Sequence, residues 1–141
     1  MAIATADLPT PAAPAGKAAW AGRILSGLVI LFLLMDGSMK LVPLKIVIDA
    51  SRDLAWPVDA ATLRMLGALL LASTLLYALP RTSVLGAILI TGYLGGAVAT
   101  HARIGSPLFS HLLFGVYLGV AAWAGLWLRE PRLRALLPLV R

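Results

Sequence analysis

The sequence predicts an all-α fold, an integral membrane bundle of four antiparallel helices, and three observations support it. First, 60% of the residues are hydrophobic, against roughly 45–50% in a soluble domain. Second, the apolar segments are hydrophobic on every face, whereas the strands of a membrane barrel alternate in polarity. Third, four segments reach the length of about 20 residues that a spanning helix needs. These spans cover about residues 20–39, 60–79, 84–100 and 108–128.

The chain divides into a short tail and one membrane domain. Residues 1–19 are rich in Ala and Pro and are predicted to be disordered, and residues 20–141 form the four-helix domain. Lys17 and Arg23, followed by an apolar run, imitate a secretory signal. No small-x-small cleavage site follows this run, so we expect the first helix to be retained.

The connections predict how the helices are arranged. A short amphipathic helix is expected between the first two spans, with Pro43 in its first turn and Trp56-Pro57 after its end. Asp59 then has the position of an N-cap for the second span. The segments 80–83 and 101–107 are too short for anything but tight turns, so consecutive spans are antiparallel neighbours.

Composition and charge exclude several functions. The absence of cysteine excludes disulfides, thiolate metal sites and Cys-x-x-Cys redox chemistry. The net charge of +6 comes from basic residues that flank the apolar spans, so lipid phosphates rather than nucleic acid are the expected partners. Seven basic residues lie on the side of the termini and five on the other side, which predicts cytoplasmic termini.

The polar residues at the span ends form the candidate site. The predicted topology brings seven of them to one membrane face: Asp36, Lys40, Arg64, Thr100, His101, Arg103 and His111. Asp36 and Lys40 are four residues apart, the spacing at which opposite charges meet on a helix. Two interpretations stay open: the residues anchor and pair the helix ends, or they form a mouth that recognises a ligand or partner.

Catalysis by the chain alone is not expected. His101 and Asp36 could act as an acid–base pair, but no nucleophile or oxyanion arrangement accompanies them. The two histidines, ten residues apart across a Gly-Pro loop, do not form a metal motif. The sequence also has no haem motif and no nucleotide-binding loop. No catalytic or metal-binding residue is therefore assigned.

The glycines predict how the helices pack, and the aromatic residues predict which positions lie near the membrane surface. The pairs Gly92/Gly96 and Gly115/Gly119 have the spacing that lets membrane helices approach closely. We expect them to pack the third span against the fourth, with a homo-oligomer face as the alternative. Six of the tryptophans and tyrosines fall mostly near span ends, where aromatic rings favour the headgroup region. The six are Trp20, Trp56, Tyr77, Tyr93, Trp123 and Trp127.

Three segments resemble a known family. The run from Pro80 to His111, with its glycines, Thr-His and Arg, closely resembles the DoxX-like family of small bacterial membrane proteins. The segment Asp36-Gly-Ser-Met-Lys40 is similar to the family's first-helix signature, and residues 127–138 are similar to its C-terminal pattern. The resemblance covers about residues 28–138 and implies a four-helix membrane fold. Some relatives carry a glutamate where this chain has Leu70.

Three functions stay open for such a protein. The leading expectation is a non-catalytic inner-membrane protein whose mouth binds an apolar or amphipathic small molecule or a partner subunit. The second is the membrane subunit of a quinone-linked oxidoreductase, which would need a bound quinone and a redox partner subunit. The third is a small transporter, disfavoured because no span carries a predicted break or a charge at its midpoint. A distant likeness to sterol-binding four-helix proteins implies an apolar pocket between the helices.

Overall fold

The computed structural model describes residues 16–42 and 44–136. Four of its helical segments are long and apolar enough to span a membrane, as predicted. Three are single helices, α1 (Gly16–Leu41), α3 (Ala60–Ala78) and α4 (Ser83–Arg103). The fourth span, Leu108–Arg129, begins with a π-helical turn and continues as α5 (Phe114–Arg129). The predicted all-α membrane bundle is confirmed.

The first helix begins earlier than predicted. Residues 16–19 belong to α1, although the sequence placed them in the disordered tail. Lys17, Ala18 and Ala19 favour the helical conformation, so they extend the helix. The predicted disorder of residues 1–15 and the predicted place of Pro43 lie outside the described residues.

The four spans pack in a closed square. α1 contacts α3 and α5, and α4 contacts the same two helices, so α1 and α4 are diagonal. Consecutive spans along the chain run in opposite directions. We call the end of the bundle where α1 begins and α5 ends the terminal face, and the opposite end the distal face.

Apolar side chains occupy both the centre and the outside of the bundle. Leu33, Leu70 and Ile90 are almost fully buried at the helix contacts. Leu31, Leu69 and Val120 are more than half exposed on the outer surface. A soluble protein rarely exposes so continuous an apolar surface. The outer surface therefore contacts the lipid bilayer.

Glycines set the closest helix approaches. A Cβ atom on Gly67 would lie 2.7 Å from the carbonyl oxygen of Gly37, where α3 crosses α1. A Cβ atom on Gly22 would lie 2.8 Å from the carbonyl oxygen of Gly125, where α1 crosses α5. Because real side chains do not approach so closely, these crossings require glycine.

Two short helices lie at the bundle ends. α2 (Lys45–Asp53) belongs to the distal face, as the sequence predicted, and α6 (Pro131–Leu136) belongs to the terminal face. Asp59 caps α3, since its carboxylate accepts a hydrogen bond from the backbone N–H of Thr62 at 2.9 Å. This bond lowers the pKa of the Asp59 carboxyl group. The predicted N-cap is therefore confirmed.

Candidate functional site

A cavity of about 430 Å³ lies between the four spans in the distal half of the bundle. All four spans and the segment after α2 contribute to its walls. Its walls are polar at one end and apolar at the other. We call the part lined by Asp36, Lys40, Thr100, His101 and His111 the polar end, and the part lined by Phe32, Leu33, Tyr93, Phe114 and Leu118 the apolar end.

The polar end contains one close ion pair. Lys40 Nζ lies 2.5 Å from Asp36 Oδ1, and the two side chains are 20% and 37% exposed. Both residues lie in the last turns of α1, and their spacing of four residues places them on the same helix face. The pair brings a donor and an acceptor to the cavity with little net charge.

Two histidines face each other across the polar end. The ring centroids of His101 and His111 are 5.9 Å apart, with an interplanar angle of 60°. Nδ1 of His101 lies 2.9 Å from the hydroxyl of Ser106, and Nδ1 of His111 lies 2.7 Å from the hydroxyl of Ser110. These bonds leave Nε2 of each ring as the nitrogen for a ligand.

His111 occupies the π-helical turn Leu108–Leu112. The backbone N–H of Leu113 donates to the carbonyl of Leu108 at 2.9 Å, five residues back, which widens the helix at this point. Pro107 precedes the turn and provides no N–H group of its own. This π-helical turn interrupts the α-helical hydrogen bonding at the distal end of the fourth span, not at its midpoint.

The segment after α2 closes one side of the cavity. Leu54 and Trp56 of this segment line it, together with Ser51 of α2. The indole Nε1 of Trp56 donates to Thr100 Oγ1 at 3.2 Å, which ties this segment to the end of α4. Between Leu54 and Trp56, Ala55 has a φ angle of 53°, a left-handed conformation that costs energy for a residue with a Cβ atom.

The apolar end is rich in aromatic rings, which the sequence analysis did not assign to a site. The rings of Phe32 and Phe114 meet edge to face with centroids 5.4 Å apart. Helical spacing from the polar residues is the signal that would have found them. Phe32 is one turn from Asp36, Tyr93 is two turns from Thr100, and Phe114 is one turn from His111.

The structure brings together five of the seven predicted mouth residues but leaves two outside the cavity walls. Arg64 is exposed, and its Nε donates to the carbonyl of Leu41 at 3.4 Å. Arg103 is exposed, and its guanidinium donates to the carbonyl of Leu54 at 3.2 Å. Both arginines lie at the distal face but do not line the cavity. Arg64 thus ties α3 to the end of α1, and Arg103 ties the end of α4 to the segment after α2, because their long side chains reach backbone carbonyls at the distal face.

The predicted packing glycines also separate into two groups. Cβ atoms on Gly92 and Gly96 would meet nothing within 4 Å, and both residues line the cavity. This corrects the expectation of close packing there, because the face of α4 that carries them borders open space. A Cβ atom on Gly115 would lie 3.0 Å from Val98 Cγ2, and one on Gly119 would lie 3.7 Å from Leu94 Cδ1. These two glycines of α5 do face α4.

A second polar cluster near the terminal face was missed by the sequence analysis. Tyr77 is fully buried. Its hydroxyl donates to the carbonyl of Ala122 at 2.6 Å and lies 3.0 Å from Ser26 Oγ. The guanidinium of Arg129 stacks on the Tyr77 ring at 5.1 Å from its centroid. This cluster joins α1, α3 and α5, and a tyrosine inside an apolar helix was the available signal.

Hydrogen bonding to a polar group, combined with apolar contact, is the chemistry that the cavity offers. The polar end presents a carboxylate, an ammonium group, a hydroxyl and two imidazoles. Among residues 16–42 and 44–136, no three His, Cys, Asp or Glu side chains come together as a possible metal site. The fold and the cavity thus define a small multi-pass membrane protein built as a four-helix bundle.

Residues 24–125 match the DoxX-like family, and the chain belongs to it. The match covers α3 and α4 completely, most of α1 and of the fourth span, and every residue that lines the cavity. No curated protein and no solved structure has a significant match to the chain.

Proposed function

We propose that this protein is a bacterial inner-membrane binding protein that holds an amphipathic small molecule in the cavity. The change of the walls from polar to aromatic along one cavity is the observation that supports the proposal. The volume of about 430 Å³ lies within the range of roughly 300–1,000 Å³ for small-molecule sites. The ligand would place its polar head among the charged and imidazole groups and its apolar body among the rings.

The polar groups favour a head that is uncharged overall. Asp36 and Lys40 compensate each other at 2.5 Å, so neither offers a full free charge. Imidazole nitrogens and the Thr100 hydroxyl both donate and accept hydrogen bonds. A hydroxyl, carbonyl or amide head can bond to such a set without leaving a buried charge unpaired.

The aromatic rings favour a flat body. Phe32, Tyr93 and Phe114 line the apolar end, and aromatic rings prefer stacked or edge-to-face contact with other rings. A ligand with a ring and an apolar chain fits these walls better than a plain acyl chain. Quinones belong to this class, and a quinone ligand would extend the proposal to a quinone-linked oxidoreductase complex.

Substitutions that fill the cavity are expected to abolish ligand binding without unfolding the bundle. Leucine at Gly92 or Gly96 would extend from a position where a Cβ atom has free space and the residue lines the cavity. Gly27→Leu is the matched control, because its Cβ position is equally open but Gly27 is not among the lining residues. Native mass spectrometry of protein extracted with its own lipids would measure the retained small molecule.

The expected result is a bound mass in the wild type and in Gly27→Leu that is lost in Gly92→Leu and Gly96→Leu. Retention of that mass in both cavity variants would contradict the proposed site. If instead a second polypeptide is retained and is lost on the same substitutions, the polar end is a docking site for a partner subunit.

We also propose that the termini are cytoplasmic. Among the described residues, six basic residues and Glu130 lie at the terminal face, whereas five basic and four acidic residues lie at the distal face. Basic residues near span ends are retained on the cytoplasmic side. The terminal-face basic residues are Lys17, Arg23, Arg81, Arg129, Arg132 and Arg134.

Fusions to the C-terminus test this orientation. We expect an alkaline phosphatase fusion to be inactive and a green fluorescent protein fusion to be bright, because the phosphatase needs the periplasm and the fluorescent protein needs the cytoplasm. The same pair of reporters inserted at Asp53, which lies at the distal face, should give the opposite result. An active C-terminal phosphatase would reverse the assignment.

A further inference from the structure

A groove of about 890 Å³ runs between α4 and α5. Leu94, Val98 and Gly115 line both this groove and the cavity, so these residues form a partition between the two. Every side chain that lines the groove is uncharged. The groove is therefore a second, separate concavity in the membrane domain.

We propose that this groove binds an acyl chain of an anionic phospholipid from the leaflet at the terminal face, with the phosphate beside Arg134. The lining residues of α5 extend from Gly115 to Trp127. Twelve residues of helix rise about 18 Å. The hydrocarbon of one leaflet is about 15 Å thick, half of the bilayer core. The groove thus has the length of a single acyl chain.

The walls of the groove are shaped and held in place. A Cβ atom on Gly95 would meet nothing within 4 Å, so the floor is deep at this residue. Trp123 forms a wall, and its Nε1 donates to Thr91 Oγ1 of α4 at 2.8 Å. Leu133 of α6 is 5% exposed and borders the groove at its terminal-face end. These contacts produce a preformed channel, which lowers the cost of ordering a flexible chain.

The charge at the terminal face favours an anionic headgroup. The guanidinium of Arg134 lies 5.2 Å from the centroid of the Trp127 ring, and Trp127 lines the groove. Arg134 donates to the carbonyls of Trp127 and Leu128, which uses two of its five N–H groups and fixes the side chain at the groove end. A guanidinium matches the geometry of a phosphate. The excess of basic residues at this face adds attraction for a net negative lipid.

Lipid retention in native mass spectrometry tests the proposal. Detergent-purified protein would be incubated with phosphatidylglycerol or with phosphatidylcholine carrying identical acyl chains. We expect the wild type to retain phosphatidylglycerol in preference to phosphatidylcholine, and Gly95→Leu to lower the retained phosphatidylglycerol about tenfold. Gly27→Leu is the control, since it adds the same side chain at an open position on α1, away from the groove.

A second pair of variants tests the headgroup. Arg134→Gln should reduce the preference for phosphatidylglycerol. Arg23→Gln should not, although Arg23 is an exposed basic residue of α1 at the same terminal face. Equal retention in Gly95→Leu and Gly27→Leu would overturn the acyl-chain site. Equal retention of both lipids by the wild type would overturn the choice of an anionic headgroup. A dimer mass that disappears in Gly95→Leu would assign the groove to a second copy of the chain and also overturn the proposal.

Discussion

Replacing Gly86 with leucine is expected to destabilise the bundle by at least about 3 kcal/mol, the upper part of the range for overpacked sites. A Cβ atom on Gly86 would overlap the backbone nitrogen and Cα of Tyr77 and would lie 2.7 Å from the carbonyl carbon of Leu76. These are backbone atoms in the last turn of α3, so no side-chain rotation can relieve the overlap. α4 would have to move away from α3.

Thermal unfolding in detergent, followed by circular dichroism, measures this effect. Gly27→Leu is the control, because it adds the same side chain where a Cβ atom meets nothing within 4 Å. Gly86→Ala should show an intermediate loss, since it adds only the Cβ atom. If Gly86→Leu unfolds at the same temperature as Gly27→Leu, the close crossing of α3 and α4 at this residue is incorrect.

Replacing Tyr77 with phenylalanine is expected to cost about 1–2 kcal/mol. The change removes only the hydroxyl, but that hydroxyl bonds to both the Ala122 carbonyl and Ser26 Oγ. A buried polar group left without its partner costs about 1–3 kcal/mol. Side-chain hydrogen bonds in membrane proteins average nearer 0.6 kcal/mol, with a maximum of about 1.7 kcal/mol. The expected cost of about 1–2 kcal/mol for the two lost hydrogen bonds lies between the membrane-protein average and the upper value for a buried polar group.

A double-mutant cycle with Ser26→Ala separates the two bonds. The combined variant should lose less stability than the sum of the single variants, because Ser26 and Tyr77 interact directly. Tyr117→Phe is the control, as Tyr117 is 50% exposed on the outer surface. Equal stability of Tyr77→Phe and Tyr117→Phe would show that the buried hydroxyl network does not stabilise the bundle.

The cavity illustrates how far sequence reasoning reaches. Asp36, Lys40, Thr100, His101 and His111 were placed at one membrane face because antiparallel spans of known length bring particular helix ends together. The same reasoning included Arg64 and Arg103, which the structure leaves outside the cavity walls. The topology assigns a residue to a membrane face, but the rotation of each helix decides whether its side chain points inward.

The glycines show the same limit. Gly92 and Gly96 have the spacing of a packing motif, yet both border open space, whereas Gly22, Gly67 and Gly86 make the close approaches. In a soluble helix the polar face marks the solvent side, so the opposite, apolar face is identified as the packing face. The spans of this chain are apolar all round, and lipid is as apolar as the bundle core, so that signal is absent.

The sequence by itself determined the class of protein, the number of spans, their order and the membrane face on which each connection lies. These properties depend on local hydrophobicity and loop length, because a bilayer requires helices of a fixed length. The tertiary structure alone decided which rings line the cavity, which glycines form the helix crossings and where Tyr77 and Arg129 meet. Those features depend on the rotation and crossing of helices distant in sequence, which local hydrophobicity and loop length do not determine.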